Sequence, residues 1–334
     1  MVNRSGRATI VQVAAAAGVS PATVSRVMNG RFAGPADVAE RVRRVASELS
    51  YAPNHLARAL ALGATTAIAL VVPDLGNPAF QAVLSGVTRA AAGDGYRILV
   101  ADSAEDPDAE PALVTEIRRR CDAIVLCAPR MAGDVLAGLA DSLHPLVLVN
   151  RPAGPLGVPA PSIDYRGGIV ALARHLYDLG HRDVAYLGGP PRSASNISRF
   201  RGLTDAEALL PGLRIRTVAD GASAAAGLAA TPEIVRSGVT AVMAYNDLGA
   251  IGLVQGLQAL GLRVPQDVSV TGFDDIPFAR FLTPGLTTAD VPYSSLGEEA
   301  WRRMRALLRG EPPEPDVLLG ARLEIRASTA APAR

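Results

Sequence analysis

The chain has 334 residues and a hydrophobic content of 49%, which is enough for two or three domains that each bury a core. No apolar run approaches the ~18 residues of a membrane span, and "MVNRSGRATI" lacks the apolar stretch and cleavage site of a secretory signal. These features predict a cytoplasmic protein without a membrane partner. The two cysteines, Cys121 and Cys127, predict neither a disulfide framework nor a metal site, and no cofactor is predicted.

The net charge of +1 hides an uneven distribution of charge along the chain. All 33 basic residues are arginines, and residues 1–60 hold eight of them against three acidic residues. The rest of the chain therefore carries a surplus of acidic residues. A basic head on a mildly acidic body indicates that the head binds a polyanion.

The first fifty residues predict three short helices. Thr9 and Gln12 have the spacing of a capping box, which starts a helix that ends near Gly18. In "VSPATVSRVMNG", Ser20 can cap a second helix that begins at Pro21. The third begins around Pro35 and repeats apolar residues at helical spacing: Val38, Val42, Val45 and Leu49. The remaining core positions of this head are Ile10, Val13, Val19, Val24 and Val27.

The first two helices, joined by a tight turn at Gly18, predict a helix-turn-helix whose second helix fits the major groove of DNA. Arg26 can donate two hydrogen bonds to a guanine edge, which is worth about 1–3 kcal/mol of discrimination. Short polar side chains suit phosphate oxygens, and the candidates are Thr9, Thr23, Ser25 and Asn29. The alternative is a solvated face on a small helical domain.

The next segment, "YAPNHLARALALG", predicts a helix that starts at Pro53, with Leu56 and Leu60 on one face. It is shorter than the ~12–15 residues that hold a helix together alone in water. One partner for it is the same segment of a second subunit on DNA, where Leu60 would act as a wedge in the minor groove. The alternative is a linker helix that packs on the body.

From Thr65 onward, apolar runs typical of buried parallel strands alternate with helical stretches, which predicts doubly wound α/β domains. Ligands of such sheets bind beyond the carboxyl ends of the strands, where this chain places polar residues. These residues are Asn150, Arg151, Asn246, Asp247, Asp274 and Asp275. Arg199 is expected to begin a helix after the loop "GGPPRSASN", and Asn77, Ala79 and Phe80 occupy the matching first loop of the other lobe. Such groups suit vicinal hydroxyls and a ring face. Alternatively, Asp247 and Asp275 cap the following helix or turn, and Arg151 pairs with a carboxylate.

The stretches "TIVQVAAAAGVSPATVSRVMNG" and "RVRRVASELSYAPNHLARAL" closely resemble the lactose-repressor (LacI/GalR) family of bacterial transcription regulators. The resemblance continues in order through "PDLGNPAF", "DYRGG", "LGHRDVAYLGG", "RFRGL", "YNDLGAIG", "GLRVPQDVSVTGFDDI", "LTTADVP" and "EIRAST". It implies an N-terminal all-α helix-turn-helix headpiece and a two-lobed, periplasmic-binding-protein-like α/β body with two doubly wound parallel sheets. The implied division is a headpiece at 1–52, a hinge helix at 53–62, an N-terminal lobe at 63–163 and 292–316, and a C-terminal lobe at 164–291 and 317–334.

The resemblance also implies functional residues. It assigns base reading to Pro21, Ala22 and Arg26, and the minor-groove contact to Leu60. The implied effector contacts are Ala79, Phe80, Asn150, Arg199, Asn246, Asp274 and Tyr293. Many members carry a stacking aromatic in the loop after Val218, where this chain has "ADGASAAAG". The resemblance therefore implies either a wider pocket or stacking by Phe80 or Tyr293.

Together these features predict a homodimeric repressor that binds a pseudo-palindromic operator in double-stranded DNA and responds to a small-molecule effector between its lobes. A sugar or sugar derivative is the expected effector, and a nucleoside, a purine or another metabolite is the alternative. A sugar-binding protein without a DNA role is a distant rival. An enzyme is not expected, because the four histidines show no acid–base or metal spacing and the nucleotide and hydrolase motifs are missing. The end "RASTAAPAR" has no leucine heptad, which favours a dimer.

Overall fold

The computed structural model describes residues 8–28, 30, 32–51, 65–312 and 314–333. The chain divides into two compact units, Met1–Thr65 and Thr66–Arg334. In its described residues, the first unit contains three helices: α1 (Ile10–Ala17), α2 (Pro21–Met28) and α3 (Ala36–Glu48). Within the described ranges, no single helix is long and apolar enough to span a membrane, and only α1 and α2 together, as a pair bent by 101°, meet those criteria.

The helices of the first unit begin and end through local contacts. Thr9 caps α1 in a capping box with Gln12, and Gly18 ends it in the left-handed conformation at φ +66°. The buried core contains Val13, Val24, Val27, Val42 and Val45. The prediction for Leu49 is wrong, because α3 ends at Glu48 and the Leu49 side chain is 39% exposed.

In the described part of the second unit, two four-stranded parallel sheets have the same strand order. The first runs β2-β1-β3-β4, with β1 Ala67–Val72, β2 Arg97–Asp102, β3 Ala123–Cys127 and β4 Leu146–Val149. Its helices are α4 (Pro78–Gly93), α5 (Glu110–Arg118) and α6 (Gly133–Leu143). Strands β1, β3 and β4 are almost wholly buried, as expected of a parallel sheet covered on both faces, whereas β2 is an exposed edge.

The second sheet runs β7-β6-β8-β9. Its strands are β6 (Asp183–Gly188), β7 (Arg214–Asp220), β8 (Ala241–Ala244) and β9 (Ser269–Thr271). Its helices are α7 (Tyr165–Asp178), α8 (Ala194–Leu209), α9 (Ala224–Ser237) and α10 (Asp247–Ala259). Short strands lie where the chain passes between the sheets: β5 (Ser162–Ile163) pairs with β11 (Leu318–Leu319), and β10 (Thr288–Asp290) pairs with β12 (Arg322–Glu324).

The last helix, α11 (Tyr293–Leu308), packs against α4 of the first sheet through two glycines. A Cβ atom on Gly86 would lie 2.0 Å from the Ser294 carbonyl oxygen, and one on Gly297 would lie 2.2 Å from that of Val83. The backbones therefore touch, and only glycine fits at either position. We call β1–β4 with α4–α6 and α11 the first lobe, and β6–β9 with α7–α10 the second lobe. The predicted fold class, a helical head followed by two doubly wound parallel sheets, is confirmed.

Candidate functional site

Helix α2 presents small and basic side chains to solvent. Pro21, Ala22 and Arg26 are exposed, whereas Thr23 and Ser25 are half-buried beside the core residues of the helix. The Ser20 hydroxyl accepts a hydrogen bond from the Thr23 amide at 3.1 Å. Ser20 thus caps the helix where the sequence predicted. The exposed face has no bulky side chain except Arg26, so its backbone can approach another surface closely.

The remaining predicted DNA contacts differ in what the structure shows of them. Thr9 is half-buried, and its hydroxyl lies 3.4 Å from the Gln12 amide and 3.2 Å from the Gln12 side-chain oxygen, so the capping box occupies it. Asn29 and Leu60 lie outside the described residues. The hinge segment 53–62 lies outside them as well.

A cleft between the two lobes forms the second candidate site. Its lining comes from the carboxyl ends of strands and the first turns of helices: Asn77, Ala79, Phe80, Ala128, Asn150, Tyr165, Ser195, Arg199, Tyr245, Asp274 and Tyr293. The enclosed space is about 20 Å³, which is room for one or two water molecules. In this arrangement of the lobes, the side chains nearly fill the cleft.

Arg199 lies in the cleft with its side chain almost completely buried among aromatic rings. Its guanidinium carbon is 4.3 Å from the ring centre of Tyr165, 4.4 Å from that of Tyr245 and 4.2 Å from that of Phe273. Cation–π attraction of this kind stabilises a cation that has left water. Among the described residues, its Nε and Nη1 atoms have no hydrogen-bond partner. Two strong donors are thus available to a group that enters the cleft.

Asp274 is the acidic counterpart of Arg199. Its Oδ1 atom accepts a hydrogen bond from the Tyr293 hydroxyl at 2.7 Å and lies 3.8 Å from Nη2 of Arg199. Burial raises the pKa of Asp274 to about 6, although Arg199 and the Tyr293 hydroxyl both lower it. The backbone at Asp274 has φ +117°, a conformation that L-residues rarely adopt. Such strain is common where a side chain is aimed at a functional site.

Two polar residues, Asn246 and Asp247, follow β8. Asn246 caps α10, since its Oδ1 accepts from the Gly249 amide at 2.8 Å and its Nδ2 donates to the Ala222 carbonyl at 2.7 Å. Asn246 is not among the residues that line the cleft, and its effector contact stays a prediction. The capping prediction for Asp247 is wrong, because its buried carboxyl group accepts from the Ile276 amide and the Thr288 hydroxyl. Burial raises the pKa of Asp247 well above its usual range, and the nearby Asp274 raises it further.

Asp275 and Arg151 have partners other than those predicted. Asp275 forms an ion pair with Arg326 at 2.7 Å and does not cap a helix. Arg151 donates to the carbonyl oxygens of Pro129 and Met131, at 2.9 and 3.1 Å, in place of a carboxylate. Both side chains therefore hold loops at the strand ends in place.

The other predicted cleft residues lie at the ends of strands and helices of the first lobe. Asn77 caps α4 by accepting from the Ala79 amide at 2.9 Å, which fixes Ala79 and the half-buried Phe80 at the mouth of the helix. Asn150 follows β4 in the left-handed conformation, and its Oδ1 accepts from the Ile163 amide at 3.1 Å. The structure thus brings six of the seven predicted effector residues to one cleft.

Four cleft residues were not predicted from the sequence: Tyr165, Ser195, Tyr245 and Ala128. Tyr245 directly follows β8, and its hydroxyl is 3.1 Å from the Ser193 hydroxyl and 3.0 Å from that of Ser195. An aromatic residue directly after a buried strand is the sequence signal that Tyr245 carries. The two predicted stacking residues, Phe80 and Tyr293, also line the cleft.

Metal binding has no support in the part of the chain that is described. No group of three or more His, Cys, Asp or Glu side chains there could hold a metal ion. Cys121 and Cys127 are both buried. Burial raises the pKa of the Cys127 thiol to about 12, so it is not a reactive thiolate.

Comparison with known proteins identifies the family of the head and of the body. A family model of bacterial regulatory proteins of the lacI family matches residues 9–54, and a model of periplasmic binding protein-like domains matches residues 173–329. The HTH-type transcriptional regulator GalR of Salmonella typhimurium is 34% identical over 315 residues, which cover 93% of this chain and 92% of that protein.

Solved structures agree with this. The lac repressor dimer bound to operator and the anti-inducer ONPF matches with a TM-score of 0.85 at 26% identity, and the match covers 97% of this chain and all of the other. The complex of the transcriptional regulator CelR with cellobiose matches with a TM-score of 0.71 at 29% identity, over 96% of this chain and all of the other. This chain belongs to the LacI family of bacterial regulatory proteins, which are DNA-binding transcriptional regulators.

Proposed function

We propose that the chain is a cytoplasmic, homodimeric repressor that binds a pseudo-palindromic operator through α2 and is controlled by a sugar or sugar derivative in the cleft. The observation that carries the effector site is the pair of unpartnered donors on the buried Arg199, next to the Asp274 carboxylate. A donor without a partner and a nearby acceptor match a hydroxyl group, which accepts a hydrogen bond from Arg199 and donates one to Asp274.

For DNA, we assign base reading to Arg26 and close approach to Pro21 and Ala22, whose exposed positions leave the helix face open. Thr9, Thr23 and Ser25 are proposed phosphate contacts, which set the register of the protein on the duplex but carry no base information. Asn29 and Leu60 keep their predicted roles as a phosphate contact and a minor-groove contact. The two heads of a dimer would then read two half-sites related by symmetry.

For the effector, we assign polar contacts to Arg199, Asp274 and Asn150, and apolar contacts to Ala79, Phe80 and Tyr293. A sugar presents hydroxyl groups around its rim and C–H groups on its faces, so it requires both kinds of contact. CelR, which matches this chain over nearly its whole length, was solved with cellobiose. Since the enclosed space is only about 20 Å³, the lobes must separate or the lining must move before a sugar enters.

The second copy of the chain has an apolar surface available on the edge strand β2. There Leu99 is 40% exposed and Val100 is 38% exposed. We propose that this edge contributes to the dimer, because an exposed strand edge with apolar side chains favours association. When an effector changes how far the lobes of each subunit close, the first lobes of the two subunits then move relative to each other. DNA affinity changes by the coupling free energy between the sites, which is typically about 1–3 kcal/mol.

Two measurements test the proposal. Selection of bound duplexes from a random pool should yield an inverted repeat, and binding to it should weaken steeply between ~50 and ~200 mM salt as phosphate contacts release ions. A screen of sugars and nucleosides by thermal shift should then find a ligand that raises the unfolding temperature and changes operator affinity. A monomer that binds every duplex equally, with or without each ligand, would contradict the proposal, whereas a nucleoside hit would replace the sugar.

A further inference from the structure

The two lobes are joined inside the cleft by a hydrogen bond between buried side chains. Tyr293 is the first residue of α11 in the first lobe, and Asp274 follows β9 in the second lobe. The Tyr293 hydroxyl donates to Asp274 Oδ1 at 2.7 Å, and both residues are 6% exposed. The Tyr165 hydroxyl lies 3.4 Å from that of Tyr293. Because the Tyr293 proton points to the carboxylate, Tyr165 is the donor in that second contact.

The Tyr293 hydroxyl binds Asp274 Oδ1, an acceptor to which the nearby Arg199 makes no hydrogen bond. Nη2 of Arg199 is 3.8 Å from Asp274 Oδ1, which is beyond hydrogen-bond distance. Nε and Nη1 of Arg199 have no partner among the described residues. The cleft therefore holds spare donors on Arg199 and a carboxylate oxygen already bound to a tyrosine of the opposite lobe.

We propose that Tyr293 is an internal competitor of the effector: its hydroxyl binds Asp274 in place of an effector hydroxyl and ties the lobes together until an effector displaces it. This inference rests on the effector site assigned above. An effector that displaces Tyr293 must donate a hydrogen to Asp274 and accept from Arg199. A neutral polyol with vicinal hydroxyls does both. A ligand that offers only a carboxylate would pair with Arg199 but repel Asp274.

The first test needs no ligand and uses the full chain. Tyr293→Phe keeps the ring and removes the hydroxyl, so the lobes should open more often. Since a hydrogen bond to a charged group contributes enough for at least a tenfold change in an equilibrium, we expect backbone amides at 273–276 and 195–199 to exchange with deuterium roughly tenfold faster. Tyr177→Phe is the matched control, because the Tyr177 hydroxyl donates to the Pro211 carbonyl within the second lobe. Exchange that is equal in both variants and the unchanged chain would overturn the inference.

The second test uses cellobiose and whichever sugar gives the largest thermal shift. Tyr293→Phe should bind that sugar roughly tenfold more tightly, because no hydroxyl has to be displaced, and Tyr177→Phe should bind it like the unchanged chain. Weaker binding by Tyr293→Phe would show that the hydroxyl contacts the effector, and would overturn the competition. If no sugar or nucleoside binds either protein, the proposed function fails. The exchange experiment still decides whether Tyr293 ties the lobes.

Discussion

Replacing both charges of the cleft should cost the chain little stability while it abolishes effector binding. The change is Arg199→Met together with Asp274→Asn, which keeps the approximate volumes and leaves an oxygen for the Tyr293 hydroxyl. The two groups are almost completely buried, at 1% and 6% exposure, and two of the arginine donors have no partner among the described residues. A buried pair of this quality is held at a cost, because each ion has left water.

The magnitudes come from the geometry. At 3.8 Å the attraction between the charges is about 4 kcal/mol with an effective dielectric constant of ~20. Removing one partner forfeits this attraction and leaves a buried charge, so each single variant should lose about 3 kcal/mol of unfolding free energy. The double variant also removes the desolvation cost of both ions and the two unpaired donors. It should therefore unfold within about 2 kcal/mol of the unchanged chain.

Urea unfolding of the four proteins, at one protein concentration and pH 7.5, measures this cycle. The expected coupling free energy, the two single losses minus the double loss, is roughly 4 kcal/mol or more. The matched control is the pair of Arg214 and Asp183, 3.0 Å apart on the surface, whose cycle should give a much smaller coupling because water screens both charges. A double Arg199/Asp274 variant that is as unstable as the sum of its two single variants would refute the reasoning.

Three other outcomes are expected. Arg26→Ala should relax base preference at one position of each half-site by about 1–3 kcal/mol, and a duplex selection that returns the same sequence preference would count against base reading by Arg26. Affinity for the sugar should fall roughly tenfold per pH unit below the Asp274 pKa of about 6, because the effector hydroxyl donates to the ionised carboxylate. Calorimetry between pH 7.5 and 5 measures this fall, and Asp274→Asn should bind the sugar weakly with an affinity that does not depend on pH. Gly86→Ala should lower the unfolding free energy by about 1–3 kcal/mol because its Cβ atom would meet the Ser294 carbonyl oxygen at 2.0 Å, whereas Gly93→Ala on the same helix has no atom within 4 Å of the new Cβ and should not destabilise the chain.

Features set by neighbours along the chain could be predicted from the sequence. The capping box of Thr9 and the start of α2 at Pro21 depend on contacts between residues three apart, so the local sequence is enough to predict both. Arg199 and Asp274 could be placed in one cleft because parallel strands bring their carboxyl ends to one edge of a sheet. In each case a single periodicity or topology rule determines the outcome.

Features that depend on the exact start of a helix or on contacts across the fold could not be predicted. Helix α10 begins at Asp247, so the preceding Asn246, in extended backbone at φ −148°, becomes the cap and Asp247 turns into the interior. A shift of one residue in the start of the helix thus moves the capping role from Asp247 to Asn246. The rings of Tyr165 and Tyr245 meet Arg199 only after three separate segments have packed, and no local pattern records that encounter.

The contact between α4 and α11 has a consequence for biosynthesis. The first lobe is assembled from two stretches of chain, and its last helix emerges from the ribosome only after the four strands of the second sheet have been made. Until then the surface of α4 around Gly86 lacks the α11 backbone that packs against it. A nascent chain that stops near residue 290 would leave Gly86 and the apolar face beside it uncovered, so the first lobe cannot complete its folding before α11 is made, although its synthesis begins first.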